Sequence, residues 1–254
     1  MTAPPRGIRG LGPRLALAVL VALPAAVAVG LLVLAVESSW APMRELDQSI
    51  ADALHRQALG HPAWVRAMKL VSAVGSPTVM RVGIGALAVV LWLRGARRLA
   101  LWAAVTMAGG ALIDVVLKAA VGRARPVFAH PVATAPGGSF PSGHAFTATL
   151  ASGVALLTVL PLLGRRGRVA AWSVAVLVPL VVGYSRLALG VHWTSDVVGG
   201  WLLGVGLLAG TTAAFETWRR ERRPAPVHPA IEGAAPEETE RAVGHGDGES
   251  TAAE

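Results

Sequence analysis

His192 and Asp196 stand four residues apart at the end of the run SRLALGVHWTSD, which spans Ser185 to Asp196. On a helical backbone that spacing lets the carboxylate hold one ring nitrogen and leaves the other free to attack phosphorus. A nucleophile with its orienting acid is what covalent catalysis requires. Arg186, in the same run, offers a planar fork to phosphate oxygens. Taken alone, the pair would equally serve as a His–Asp contact that stabilises a helix end.

Two further clusters carry compatible chemistry. In GGSFPSGH, Gly137 to His144, Ser142 is a natural helix N-cap and Gly143 lets a ligand approach the backbone closely. A helix start presents free N–H groups and a positive dipole end, both suited to phosphate. His144 would stand in the first turn, able to protonate a leaving oxygen. The other cluster is KAAVGRARP, Lys118 to Pro126. Lys118 and Arg125, seven residues apart, would share one face of a helix that Pro126 ends. Two cations there could grip a phosphate; alone, they could also be interfacial residues beside a membrane.

The elements that must position these clusters are apolar. The 254 residues are 54% hydrophobic and 15% charged, with a mean hydropathy of +0.56; soluble domains carry about 25% charge. Long uncharged blocks predict an all-α membrane bundle of six spans, at 15–36, 77–93, 99–121, 143–163, 169–189 and 195–216. Pro24 predicts a kink in the first. Residues 37–76 mix charge with apolar positions and read as an interfacial segment of one or two amphipathic helices. Residues 1–14 form a basic N-terminus, 15–218 the membrane domain and 219–254 a disordered tail without apolar periodicity. The arginine clusters 6/9/14, 94/97/98, 165/166/168 and 219/220/222/223 all fall on one side of a six-span chain. The positive-inside rule makes that side cytoplasmic, with both termini. Loops 122–142 and 190–194 then lie outside, so their cations are not explained by topology. The absence of cysteine excludes thiolate catalysis and disulfides. The net charge of +8 lies beside apolar blocks rather than in an aromatic-interleaved stripe, which argues against nucleic acid.

All three clusters thus meet at one face of the membrane, and together they supply cations, a helix start, a proton donor and a nucleophile. They resemble the three signature motifs of the type 2 phosphatidic acid phosphatase superfamily, K-x6-R-P, P-S-G-H and S-R-x5-H-x3-D. Here these stand as Lys118…Arg125-Pro126, Pro141-Ser142-Gly143-His144 and Ser185-Arg186…His192…Asp196, with every motif position matched. The resemblance implies a haloperoxidase-like helical core and metal-independent hydrolysis of a lipid phosphate or diphosphate on the extracytoplasmic side of the cell membrane. It implies that His192 becomes phosphohistidine, that Asp196 orients it and that His144 protonates the leaving group. Lys118, Arg125, Arg186, Ser142 and the Gly143 N–H would bind phosphate, with no cofactor. Candidate lipids are undecaprenyl diphosphate, phosphatidic acid and phosphatidylglycerophosphate. A phosphotransferase with a hydroxyl acceptor and a catalytically silent membrane scaffold are the competing readings; oligomeric state is open.

Around the motifs, Asp114 is expected to pair with Lys118. Arg123 stays outside the core set. His55, His61 and His130 have no matching partners and receive no role, and no cluster has the pattern of a metal site. Gly83, Gly85, Gly199, Gly200, Gly204 and Gly206 are expected to permit close helix packing.

Overall fold

The computed structural model describes the backbone of residues 12–221 and the side chains of residues 18–215. Among these residues the regular elements are all helices: α1 (Gly12–Glu37), α2 (Ala41–Gly60), α3 (Pro62–Val74), α4 (Pro77–Leu93), α5 (Arg97–Val121), α6 (Gly143–Val159), α7 (Arg165–Ala188) and α8 (Thr194–Glu221). Prolines open α2, α3 and α4, where a missing N–H costs nothing. Ser76 caps α4 by accepting the Val79 N–H at 3.4 Å.

Six stretches of the described residues are long and apolar enough to cross a membrane, and the chain is an all-α membrane protein with six candidate spans. Pro24 lies inside α1. The interfacial segment holds two helices, α2 and α3, but the second candidate span begins at Pro62 and takes in α3. The expected N-terminal boundary at 14 and the disordered tail rest mostly on residues outside those described. Where the backbone is described, helix continues through Arg219 to Glu221.

α6 is the central helix. Some 56% of its apolar window is buried, against 11% for α1 and 17% for α7. Phe146, Leu150, Ala151 and Val154 of α6 pack with Ile84 of α4 and with Trp102, Ala103 and Met107 of α5. A second cluster sets Ala58 of α2 and Val65 and Met68 of α3 against Ala188, Leu189 and Val191 at the end of α7. Leu20, Leu31, Leu112, Val115 and Val176 point outward. So large an apolar exterior suits hydrocarbon and would be an aggregation hazard in water.

Four of the six expected packing glycines do that work. A methyl at Gly199 would meet Phe140 at 2.7 Å, at Gly200 the Ser142 carbonyl at 2.7 Å, at Gly204 Thr149 at 2.6 Å and at Gly206 Ala25 at 3.1 Å. They draw α8 against α6, α1 and the 122–142 loop. Gly83 and Gly85 do not: open space surrounds them, because α4 turns that face away from its neighbours.

The shared helical face for Lys118 and Arg125 is also overturned. α5 ends at Val121, because Gly122 takes the left-handed conformation (φ 56°) and donates its N–H to Lys118. The stop comes four residues before Pro126, and Arg125 reaches the site from a loop.

Candidate active site

The last turns of α5 and α7 and the first turns of α6 and α8 gather at one end of the bundle. The starts of α6 and α8 are tied directly, since the Ser142 N–H donates to the Asp196 carbonyl at 2.9 Å. His192 lies just before α8, in the turn that follows α7, rather than inside a helix. Asp196 still reaches it: Oδ2 accepts the Trp193 N–H at 2.9 Å and faces His192 Nδ1 at 3.3 Å, at the long end of hydrogen-bond range. The expected pair therefore forms by a capping turn at the helix start.

The opposite ring nitrogen, His192 Nε2, faces Arg125 Nη1 at 3.0 Å. Since arginine only donates, Nε2 accepts, and Nδ1 carries the proton toward Asp196. Burial pushes the His192 imidazole down to about 4; the hydrogen bond and charge of Asp196 oppose this, and the Arg125 and Arg186 cations reinforce it. The ring is neutral at pH 7, with its lone pair on the side away from Asp196. Burial also lowers Arg125, against the pull of Asp196 and then Asp114. Arg125 is held stiffly: it donates to the carbonyls of Gly137 (3.0 Å), Pro136 (3.0 Å), Gly138 (3.0 Å) and Val191 (2.6 Å). Those acceptors lie in the 122–142 and 189–193 loops, so one guanidinium fixes two loops against each other.

Lys118 pairs with Asp114 at 2.9 Å, as expected from their spacing. Both sit against Gly143: a methyl there would lie 2.8 Å from Lys118 Nζ and 2.9 Å from Asp114 Oδ2. Glycine is thus needed for approach rather than for backbone freedom. Arg186 is buried at the end of α7 and donates through Nη1 to Ser72 Oγ of α3. The half-buried His144 ring lies within the fields of Arg186, His192 and Lys118. The eight predicted side chains and backbone groups are therefore brought together.

Ser142 occupies the N-cap position of α6, but its side chain makes no capping bond. Its hydroxyl is fully buried and without a partner, as is the Nε of Arg186. Buried polar atoms are rarely left so. Two uncommitted donors, at Ser142 and Arg186, are thus left at the end of the bundle that holds His192.

Sequence reasoning missed four residues. Arg123, left aside, bridges Asp47 (2.8 Å), Asp196 (2.6 Å) and Ser195 (2.7 Å). Asp47 of α2 and Ser195 of α8 complete that network, and Ser72 steadies Arg186. Their partners lie 72 to 148 residues away, beyond any local spacing rule. The available signal was that Arg123, a cation next to an apolar span on the side where topology does not call for one, needs a counter-charge, without saying which. His55, given no role, stacks on Phe128 with ring centroids 3.9 Å apart, and His61 meets the Gln57 carbonyl at 2.8 Å. Among the described residues no group of three or more His, Cys, Asp or Glu gathers as a metal ion needs.

Residues 99–220 match the PAP2 superfamily. Phosphatidylglycerophosphatase B of Bacillus subtilis (strain 168) is 38% identical over 97 residues, 37% of this chain and 47% of that protein. An undecaprenyl-diphosphatase of Sulfolobus acidocaldarius is 38% identical over 66 residues, 26% of this chain and 28% of that protein. The chain thus spans half or less of the curated relatives it matches. The crystal structure of a transmembrane PAP2 type phosphatidylglycerolphosphate phosphatase from Bacillus subtilis superposes with a TM-score of 0.66. It is 25% identical, over 81% of this chain and 99% of that one.

Proposed function

We propose, from the premise that this chain belongs to the PAP2 superfamily, that it is a membrane phosphatase acting on a lipid phosphate or diphosphate through a phosphohistidine on His192. The observation that carries this reading is the balance of charge around His192. Four buried or half-buried cations, Lys118, Arg123, Arg125 and Arg186, face three carboxylates. Lys118 is neutralised by Asp114, and Arg123 by Asp47 and Asp196. Among the described residues Arg125 and Arg186 have no carboxylate within ion-pair distance, and both act on His192. The cluster is left with excess positive charge at Arg125 and Arg186, which an anion beside His192 Nε2 would meet.

The chemistry follows from the geometry. The phosphoryl group takes the Arg125 N–H that now points at Nε2, together with the free Arg186 Nε–H, the Ser142 hydroxyl, and the Lys118 ammonium and Gly143 N–H at the start of α6. The lone pair on Nε2 attacks phosphorus, and the bond from phosphorus to the lipid oxygen breaks. His144, in its protonated form, gives that oxygen a proton. Asp196 stabilises the positive charge that develops on the His192 ring. Water then attacks phosphorus, the P–N bond breaks, His144 takes the water's proton, and phosphate leaves with the His192 ring neutral again. Phosphoryl transfer asks mainly for positioning and charge neutralisation, which these side chains supply.

The relatives' names point to phosphatidylglycerophosphate and undecaprenyl diphosphate as the first lipids to try. The positive-inside distribution of arginine supports a site on the extracytoplasmic side with both termini cytoplasmic. The test is phosphate release by the purified protein in detergent. It uses those two lipids and phosphatidic acid, with and without EDTA, and with and without an added alcohol. Release that survives EDTA is expected. Failure on all three lipids, or loss restored only by Mg²⁺, would overturn the reading. A phosphorylated alcohol would instead favour the transferase.

A further inference from the structure

Asp47 is 2% exposed, on a helix that lies outside the residues matched by the family. Asp47, Ala51 and Ala58 are the buried residues of α2 and fall on one of its faces. The two alanines let the helix lie close, and the one carboxylate among them is fully committed. Its Oδ1 accepts the Ser195 N–H at 2.9 Å, a donor in the first turn of α8 that the helix itself cannot satisfy. Its Oδ2 accepts the Ser195 hydroxyl at 2.5 Å and Arg123 Nη2 at 2.8 Å.

Arg123 in turn donates from Nη1 to Ser195 Oγ and to Asp196 Oδ1, the oxygen of Asp196 that does not face His192. Its guanidinium carbon lies 5.6 Å from the Trp193 ring centre, and the Trp193 indole N–H donates to the Ala124 carbonyl at 2.8 Å. The network is closed, with every partner fixed by a second contact. One arginine is shared between two buried carboxylates. Without Asp47, the Arg123 charge would fall on Asp196 alone and the first turn of α8 would lose a donor's partner. Asp196 would then be both less negative toward His192 and less firmly placed.

We propose that Asp47 is a positioning residue which, through Arg123 and Ser195, sets the place and effective charge of Asp196 and so the reactivity of His192. The inference rests on the reading of His192 as the nucleophile. Asp47 touches no group assigned to phosphate, so its loss acts on the chemical step and not on binding.

The experiment is a mutant cycle in detergent, on whichever of phosphatidic acid, phosphatidylglycerophosphate or undecaprenyl diphosphate is hydrolysed fastest. Asp47→Asn, Asp196→Asn, the double variant and His192→Ala are compared by kcat and KM, with single-turnover measurement where rates are low. Asp47→Asn is expected to lower kcat at least about 10-fold with KM within about 2-fold, since misplacing a catalytic group by a fraction of an ångström carries such costs. On the Asp196→Asn background the same change should cost less than about 3-fold, because the residue it acts through is already altered. Equal losses on both backgrounds would show a merely structural role and overturn the proposal, as would wild-type kcat in Asp47→Asn. Should Asp47→Asn not survive purification as a monodisperse protein, Arg123→Gln takes its place in the cycle. It leaves Asp47 its bonds to Ser195, and the same two outcomes decide. Wild-type turnover in His192→Ala would instead sink the nucleophile assignment, and the relay with it. Failure of the relay alone is recognised by an inactive His192→Ala beside a normal or additive Asp47→Asn.

Discussion

Replacing Gly143 by alanine separates approach from folding. The new methyl would lie 2.8 Å from Lys118 Nζ and 2.9 and 3.1 Å from the two Asp114 oxygens, where ordinary contact begins near 3.4 Å. The ammonium must therefore retreat by at least about 0.6 Å, and Asp114 with it. Lys118 is a flexible side chain, 27% exposed, so the retreat costs little stability. The start of α6 would even gain, since alanine is favoured over glycine in a helix by up to about 1 kcal/mol. The phosphate, however, would lose a charge-assisted hydrogen bond worth about 1.5–3 kcal/mol, or about 10- to 10²-fold in kcat/KM. The expected result is a melting temperature equal to or above wild type in detergent, with kcat/KM down by that factor. Lys118→Ala should lose at least as much, and adding Gly143→Ala to it should cost little more. Activity within 2-fold of wild type in Gly143→Ala would refute the idea that Lys118 and the α6 start must share one phosphate.

If His144 serves only to protonate the leaving oxygen, His144→Ala should slow hydrolysis of an alkyl phosphate by about 10²–10⁴ and of an aryl phosphate by much less. His192→Ala should be inactive on both, and equal losses of His144→Ala on the two substrates would show that the roles are wrongly assigned. The acid limb of kcat/KM reports neutral His192, which burial holds down to about 4. Removing the Arg125 cation should move that limb to higher pH and removing the Asp196 charge to lower pH. Shifts in the opposite sense would count against a His192 ring with its proton on Nδ1 and its lone pair on Nε2. The cysteine-free chain allows a topology test with Ala129→Cys and Gly164→Cys, both at exposed loop positions. An impermeant thiol reagent on intact cells should label the first and not the second; the reverse would invert the proposed orientation.

The number and kind of elements were legible because spans announce themselves: about twenty apolar residues without charge have few other uses. The three clusters were legible for a related reason, since each packs its reactive residues within a dozen positions. What failed was inference across a helix end. Lys118 and Arg125 have helical spacing, yet Gly122 stops α5 between them, and that glycine stands in the sequence four residues before the proline taken as the stop. Ser142 failed differently. Its type fits a cap and its position is the cap, but its hydroxyl is left over in a buried site. Gly83 and Gly85 show that a glycine pair in a span does not by itself mark a helix contact.

The long-range polar partners were illegible in principle, and their placement explains how the site divides its cations. A phosphate site needs positive charge, but a bare excess would repel itself and hold His192 too weakly basic to attack. The chain resolves this by committing each carboxylate. Asp114 fixes Lys118 at the α6 start, and Asp47 with Asp196 fixes Arg123 behind His192. Arg125 and Arg186 are instead anchored by neutral groups, carbonyl oxygens and the Ser72 hydroxyl, which hold position without cancelling charge. Two cations thereby bring their own counter-charge, and the net positive charge left at Arg125 and Arg186 awaits an anion. Asp47 and Ser72 both come from α2 and α3, ahead of the matched residues 99–220. The segment that composition marks only as an amphipathic rim therefore supports both sides of the site, the nucleophile through Asp47 and the anion-binding arginine through Ser72.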